Sequence, residues 1–145
     1  MRFWDSSALI KLYVREPDST EFKRFAHDSE VPLISSLTIH EVHCAFWGKE
    51  LSGAVQPGAA ETLFQRFLRQ IDAADFKLVL YDSRVKYRAT GVVRHCYSAA
   101  KPVMIRSLDA LQIASALEGG ATEMVSADSR MRNGGILFGL RILPE

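Results

Sequence analysis

Short apolar runs alternate along the chain with longer segments of helical period. Residues 1–4 form an apolar run stopped by Asp5 and read as a first strand. Ala8, Leu9, Leu12 and Tyr13 recur at helical spacing, which predicts a helix over 6–14. The run Glu16-Pro17-Asp18-Ser19 is a turn and a helix start, and a short amphipathic helix follows over 20–27. A second strand is expected at 31–34, with Pro32 at an edge or an entry position. Ser35 or Ser36 can cap a helix that ends near Leu51. Gly53 and Pro57-Gly58 mark a loop, and 59–71 is a further helix. The apolar, β-prone run 76–81 is a third strand. Asp82 caps a helix over 83–99, broken by Lys101-Pro102, and Ser107 caps another over 108–118, ended by Gly119-Gly120. A fourth strand spans 123–126. Asp128 opens a shorter helix weakened by Gly134-Gly135, and 140–143 is the last strand.

Short strands alternating with longer helices predict a parallel sheet covered on both faces. Ligands in such folds sit beyond the carboxyl ends of the strands, so the residues that directly follow a strand carry the chemical interest. There is no internal repeat, linker or low-complexity stretch, and 145 residues (16.2 kDa) are expected to make one domain over 1–145. Area scaling buries about two-thirds of the unfolded surface at this size, enough for a core without disulfide or metal staples.

Composition excludes several classes. With 48% hydrophobic and 24% charged residues, the chain is not disordered, collagen-like or a coiled coil. No apolar run reaches the length of a membrane span, and the acid at position 5 argues against a signal peptide. Cys44 and Cys96 make no disulfide framework, so a reduced, cytoplasmic setting is expected. A net charge of +1 exerts no global pull on nucleic acid. Locally the picture changes. Arg84, Lys86, Arg88, Arg94, Lys101 and Arg106 lie in a span without an acid, and Arg130 and Arg132 follow Asp128. Such a stretch either holds an RNA backbone or is a solvated helix face. Arg106 and Arg130 have the better claim as RNA-binding residues, because each stands near a candidate acid; Lys11, beyond Asp5 on its helix, is a further candidate.

Four carboxylates stand in suggestive places. Asp5 and Asp128 follow the first and fourth strands, where each is either a helix N-cap or part of a site. Asp109 lies in a first helical turn beside Gln112 and Ile113, and compensation of the helix dipole is its alternative. Glu41 shares a helical face with Leu37, Cys44, Ala45 and Gly48, against a competing apolar face of Ile39, Val42 and Phe46. A buried glutamate needs a partner, and converging carboxylates repel one another unless a cation intervenes. Hard oxygen ligands suit Mg²⁺ or Mn²⁺, which take phosphate oxygens as further ligands and serve phosphodiester hydrolysis.

Other chemistries find little support. His40 and His43 lack the spacing of a zinc-binding His-Glu-x-x-His helix. No glycine-rich phosphate loop and no Gly-x-Ser-x-Gly elbow occur. A phosphatase with Asp5 as nucleophile wants an acid two residues on, where Ser7 stands. Leu63, Phe64, Phe67 and Leu68 form an apolar stripe for the core or for a partner.

Phe3-Trp4-Asp5-Ser6-Ser7-Ala8-Leu9, Ser36-Leu37-Thr38-Ile39-His40-Glu41-Val42, Leu108-Asp109-Ala110-Leu111-Gln112-Ile113-Ala114 and Ser126-Ala127-Asp128 together resemble the motifs of PIN domains, specifically the VapC-type ribonuclease toxins. The resemblance covers essentially the whole chain, in order and with typical spacing. It implies a three-layer α/β/α sandwich with a central, mainly parallel sheet, and a Mg²⁺- or Mn²⁺-dependent ribonuclease. It implies Asp5, Glu41, Asp109 and Asp128 as catalytic, metal-binding acids, with Ser6 and Ser126 as supporting hydroxyls. It also implies an RNA substrate, a homodimer and a cognate antitoxin. Gln112 stands where many relatives have His, and Gly134-Gly135 interrupts what is often a better helix. The alternatives are a catalytically weak RNA-binding module of the same fold, or another metal-dependent phosphohydrolase.

Overall fold

The computed structural model describes residues 1–27 and 30–145. Its elements are β1 (Arg2–Trp4), α1 (Ser6–Tyr13), α2 (Ser19–Ala26), β2 (Leu33–Ser35), α3 (Thr38–Leu51), α4 (Ala59–Asp72), β3 (Lys77–Val79), α5 (Ser83–Ser98), α6 (Ser107–Glu118), β4 (Glu123–Val125), α7 (Ser129–Leu137) and β5 (Arg141–Leu143). The strands form one five-stranded parallel sheet in the order β3-β2-β1-β4-β5.

Strand alternation explains the layers. Phe3 pairs with Leu33 and Met124, and Met124 with Ile142. All four point to one face, where they pack with α5, α6 and α7. Trp4 pairs with Val125, and Val125 with Leu143; these point to the other face, against α1, α2, α3 and α4. Burying both faces of a parallel sheet gives the α/β/α sandwich that the sequence predicts. The stripe on α4 turns inward: Phe67 is fully buried, edge-on to Tyr13 and Phe76 at 5.8 and 5.5 Å.

Three local expectations need correction. Pro32 stands at the entry of β2, but β2 is an interior strand between β1 and β3, so the edge alternative fails. The Pro32 carbonyl accepts from the Lys77 amide at 2.8 Å. The third strand stops at Val79; Tyr81 leaves the ladder, its amide donating to Ser36 Oγ at 3.1 Å. Gly134 and Gly135 do not interrupt α7, which runs unbroken through both. Both are buried, and a Cβ on them would lie 2.6 Å from Ile113 Cδ1 and 2.5 Å from Met124 Cε. The missing side chains let α7 lie flat on α6 and the sheet, and this packing outweighs the low helix propensity of glycine.

Cys44 is exposed and Cys96 buried, both free. Among the described residues, no helix is long and apolar enough to cross a membrane.

Candidate functional site

Asp5 leaves β1 at the carboxyl edge of the sheet, its amide bonded to the Val125 carbonyl at 3.0 Å. It occupies the N-cap position of α1, yet its side chain makes no cap hydrogen bond. Instead one oxygen, Oδ2, accepts from Ser7 Oγ at 2.6 Å and Ser126 Oγ at 2.8 Å. The other, Oδ1, accepts from Ser6 Oγ at 3.5 Å. The same two serines accept amides from the β4–α7 loop: Ala127 donates to Ser7 and Asp128 to Ser126. Two strands neighbouring in space, β1 and β4, are thus tied together through one carboxylate oxygen. Asp5 is only 3% exposed, and burial pushes its carboxyl above the usual range. The two serine hydrogen bonds oppose that rise, and the Asp128 charge adds to it.

Asp128 combines both readings open to it. Its Oδ1 caps α7, accepting from the amides of Arg130 and Met131 at 2.8 and 3.1 Å. Its Oδ2 faces Arg106 Nη2 at 3.6 Å. Asp109, in the first turn of α6, reaches back with Oδ2 to the Arg106 amide and to Arg106 Nε, both at 3.1 Å. The exposed Arg106 guanidinium therefore spans two of the four acids. Its N-cap position makes this possible: α6 starts at Ser107, one residue earlier than the expected capping serine allows.

Glu41 projects from α3, whose buried stripe is Thr38, Val42 and Phe46. The expected small face through Cys44 and Gly48 is exposed, so Glu41 lies at the edge of the competing stripe. Its Oε1 accepts from Gln112 Nε2, and Gln112 exchanges hydrogen bonds with Thr38 Oγ1. Burial, then the charge of Asp5, pushes the Glu41 carboxyl up to about 7; hydrogen bonds from Gln112 and Ser6 pull the other way.

Ser7, Thr38 and Gln112 thus hold the acids, and sequence reasoning assigned none of them that part. The signal for Ser7 was its place two residues after Asp5, where a hydroxyl turns back on an Asx side chain. Lys11 does not join the cluster. Its Nζ lies 2.8 Å from both Glu16 and Asp18, over the Phe22 ring. Arg130 is exposed beside the site and makes no side-chain ion pair among the described residues. His43 is taken up by Glu61 at 2.7 Å and stacked on Phe64.

The donor set is all carboxylate oxygen, and two members resist ionising together, which is the setting a divalent cation relieves. As the side chains stand, no three His, Cys, Asp or Glu groups among the described residues are placed to hold a metal ion. Arg106 and Gln112 hold the groups that would turn toward one. The residues fit a hard cation in the chemistry of their donors.

Metal-free stability should report this strain. Folded Glu41 keeps its proton up to about 7, whereas the unfolded chain releases it near 4.5. The folded state binds more protons in that window, so stability falls as pH rises from about 5 to 7 and then levels. Because the half-buried side chain is partly screened by water, the contribution is about 1–2 kcal/mol. Urea midpoints in EDTA at the two ends of the window check this. Glu41→Gln should flatten the slope, and an unchanged slope in that variant would refute the assignment.

The chain belongs to the PIN domain family, whose model matches residues 2–136. Among curated proteins it is 29% identical over 143 residues to Ribonuclease VapC46 of Mycobacterium tuberculosis, covering 97% of this chain and 95% of that protein. The fold matches the FitAB complex solved on the IR36 DNA fragment, with a TM-score of 0.73 and 13% identity over 99% of this chain and 94% of that one. It also matches Mycobacterium tuberculosis VapC20, a Sarcin-Ricin loop cleaving toxin, with a TM-score of 0.66 and 16% identity over 93% and 95%.

Proposed function

We propose that this protein is a metal-dependent endoribonuclease, the toxin of a toxin–antitoxin pair, working in the cytoplasm on RNA. The observation that carries the proposal is the convergence of Asp5, Glu41, Asp109 and Asp128 beyond the carboxyl ends of β1 and β4, with Asp5 and Glu41 both pushed toward their neutral forms. The likeness to VapC46, named a ribonuclease, supports the reaction class. The likeness in fold to a solved toxin-antitoxin complex from Klebsiella pneumoniae, with a TM-score of 0.60 and 14% identity over 89% of this chain and 88% of that one, supports a protein antitoxin. A homodimer is part of the same proposal.

The four acids would hold Mg²⁺ or Mn²⁺. Such an ion supplies an activated water and neutralises charge on the departing oxygen. Ser7 and Ser126 saturate Asp5 Oδ2 and so turn Oδ1 toward the centre. Gln112 holds Glu41 by Oε1, and Ser6 adds a second hydrogen bond to the carboxylate. Arg106, once drawn off Asp109, has a guanidinium placed to meet a phosphate. Hydrolysis by water leaves 5′-phosphate and 3′-hydroxyl ends.

The test is cleavage of single-stranded RNA by purified protein in Mg²⁺ or Mn²⁺, with EDTA as control and the product ends determined. Metal-dependent cutting with those ends is expected. A 2′,3′-cyclic phosphate would overturn the mechanism, and binding of RNA without cutting would return the protein to a binding module.

A further inference from the structure

Two segments deliver Arg106 and Asp128 to the site, and both continue into one cavity. The loop before α6 carries Arg106 to the carboxylates, and five residues upstream it presents Lys101. The β4–α7 connection carries Asp128, and the first turns of α7 present Arg130 and Asn133. Between them lies a cavity of about 420 Å³, within the range of small-ligand sites. Its rim is cationic and polar, and its walls are apolar, with Met104 68% and Ile136 60% exposed. No acid lines it. The exposed side chains of Lys101, Arg130 and Asn133 have no hydrogen-bond or ion-pair partner among the described residues.

The groove of about 580 Å³ beside α5 is lined by Arg84 and Arg88, which pair with Asp82 and Glu118. Two unpaired cations over an apolar shelf, with no acid, complement a polyanion that carries flat apolar groups. Two exposed thioether and aliphatic side chains offer such a group a face to lie on.

We propose that this cavity is a nucleotide subsite. It takes one base of single-stranded RNA against Met104 and Ile136, with the adjoining phosphates on Lys101 and Arg130, next to the bond that is cut. The proposal rests on the ribonuclease reading above and extends it to sequence preference. Asn133, on the rim, supplies the amide that can read a base edge.

The test uses a short single-stranded RNA that the protein cleaves, with each base in turn replaced by an abasic site. Wild type is compared with Met104→Ser/Ile136→Ser and with Lys101→Ala/Arg130→Ala; every changed side chain is exposed, so the fold is preserved. At one position beside the scissile bond, base removal should raise the wild-type KM about tenfold, the scale of one buried apolar ring face, with kcat kept. The Met104/Ile136 variant should show no penalty there, because it has already lost the contact. The Lys101/Arg130 variant should bind every RNA more weakly, with a salt slope lower by about 0.7 for each phosphate contact removed. Equal abasic penalties in wild type and variant, with intact RNA cut normally, would overturn the subsite and leave the nuclease standing. Normal RNA cleavage by the variants together with loss of a co-purifying protein would assign the cavity to that protein instead. A wild type that cuts no RNA removes the ribonuclease reading and the subsite with it.

Discussion

Asp5→Asn is expected to cut RNA at least about a hundredfold more slowly in Mg²⁺ or Mn²⁺, the scale on which removing one electrostatic group from a preorganised site is felt. It is also expected to fold as well as wild type. The geometry explains why these effects separate. Both serine hydroxyls converge on Oδ2, so the asparagine carbonyl can occupy that place and keep both hydrogen bonds. The amide nitrogen then takes the place of Oδ1, the oxygen that these two serines leave, and cannot ligate a cation. In metal-free buffer the variant escapes the burial of a carboxylate that resists ionising, so its thermal midpoint should equal or exceed that of wild type. Added Mg²⁺ should raise the midpoint of wild type and leave that of the variant unmoved. Full cleavage by the variant would remove Asp5 from the chemistry.

Phe67→Ala carries the largest expected loss of stability. The ring is fully buried, and its edge contacts to Tyr13 and Phe76 bind α4 to α1 and to the segment entering β3. Truncation leaves a cavity that these neighbours cannot close, at a cost of about 3–5 kcal/mol. The thermal midpoint of a domain this size should fall by roughly 10 °C. Neither ring contact belongs to the acid cluster, so cleavage per folded molecule should hold below the new midpoint. A loss under about 1 kcal/mol by urea unfolding would mean that the α4 side of the core repacks.

The sandwich was legible because strand alternation is local: Phe3 and Trp4, adjacent in sequence, must point to opposite faces. The acids were legible by their places after strands and at helix starts. What holds them was not. Thr38 and Gln112 meet across 74 positions, and no local pattern reports such a partner. Glu41 has two apolar neighbourhoods on its helix, and only packing decides which is buried. Lys11 had Glu16 and Asp18 close by in sequence, yet its direction depends on how the chain turns at Pro17. The Gly134-Gly135 pair misled for the opposite reason. Propensity is read from the residue itself, whereas the contact those glycines permit belongs to Ile113 and Met124.

The tie between Asp5 and Ser126 spans 121 positions. Asp5 is therefore synthesised 121 residues before Ser126. During synthesis β1 can pair with β2 early, but its other edge waits for β4. Until then Asp5 lacks one of its two anchoring hydroxyls, and Asp109 and Asp128 are absent or unplaced. The order of translation therefore keeps the acid cluster unassembled until β4 and the segment of Asp128 have been made.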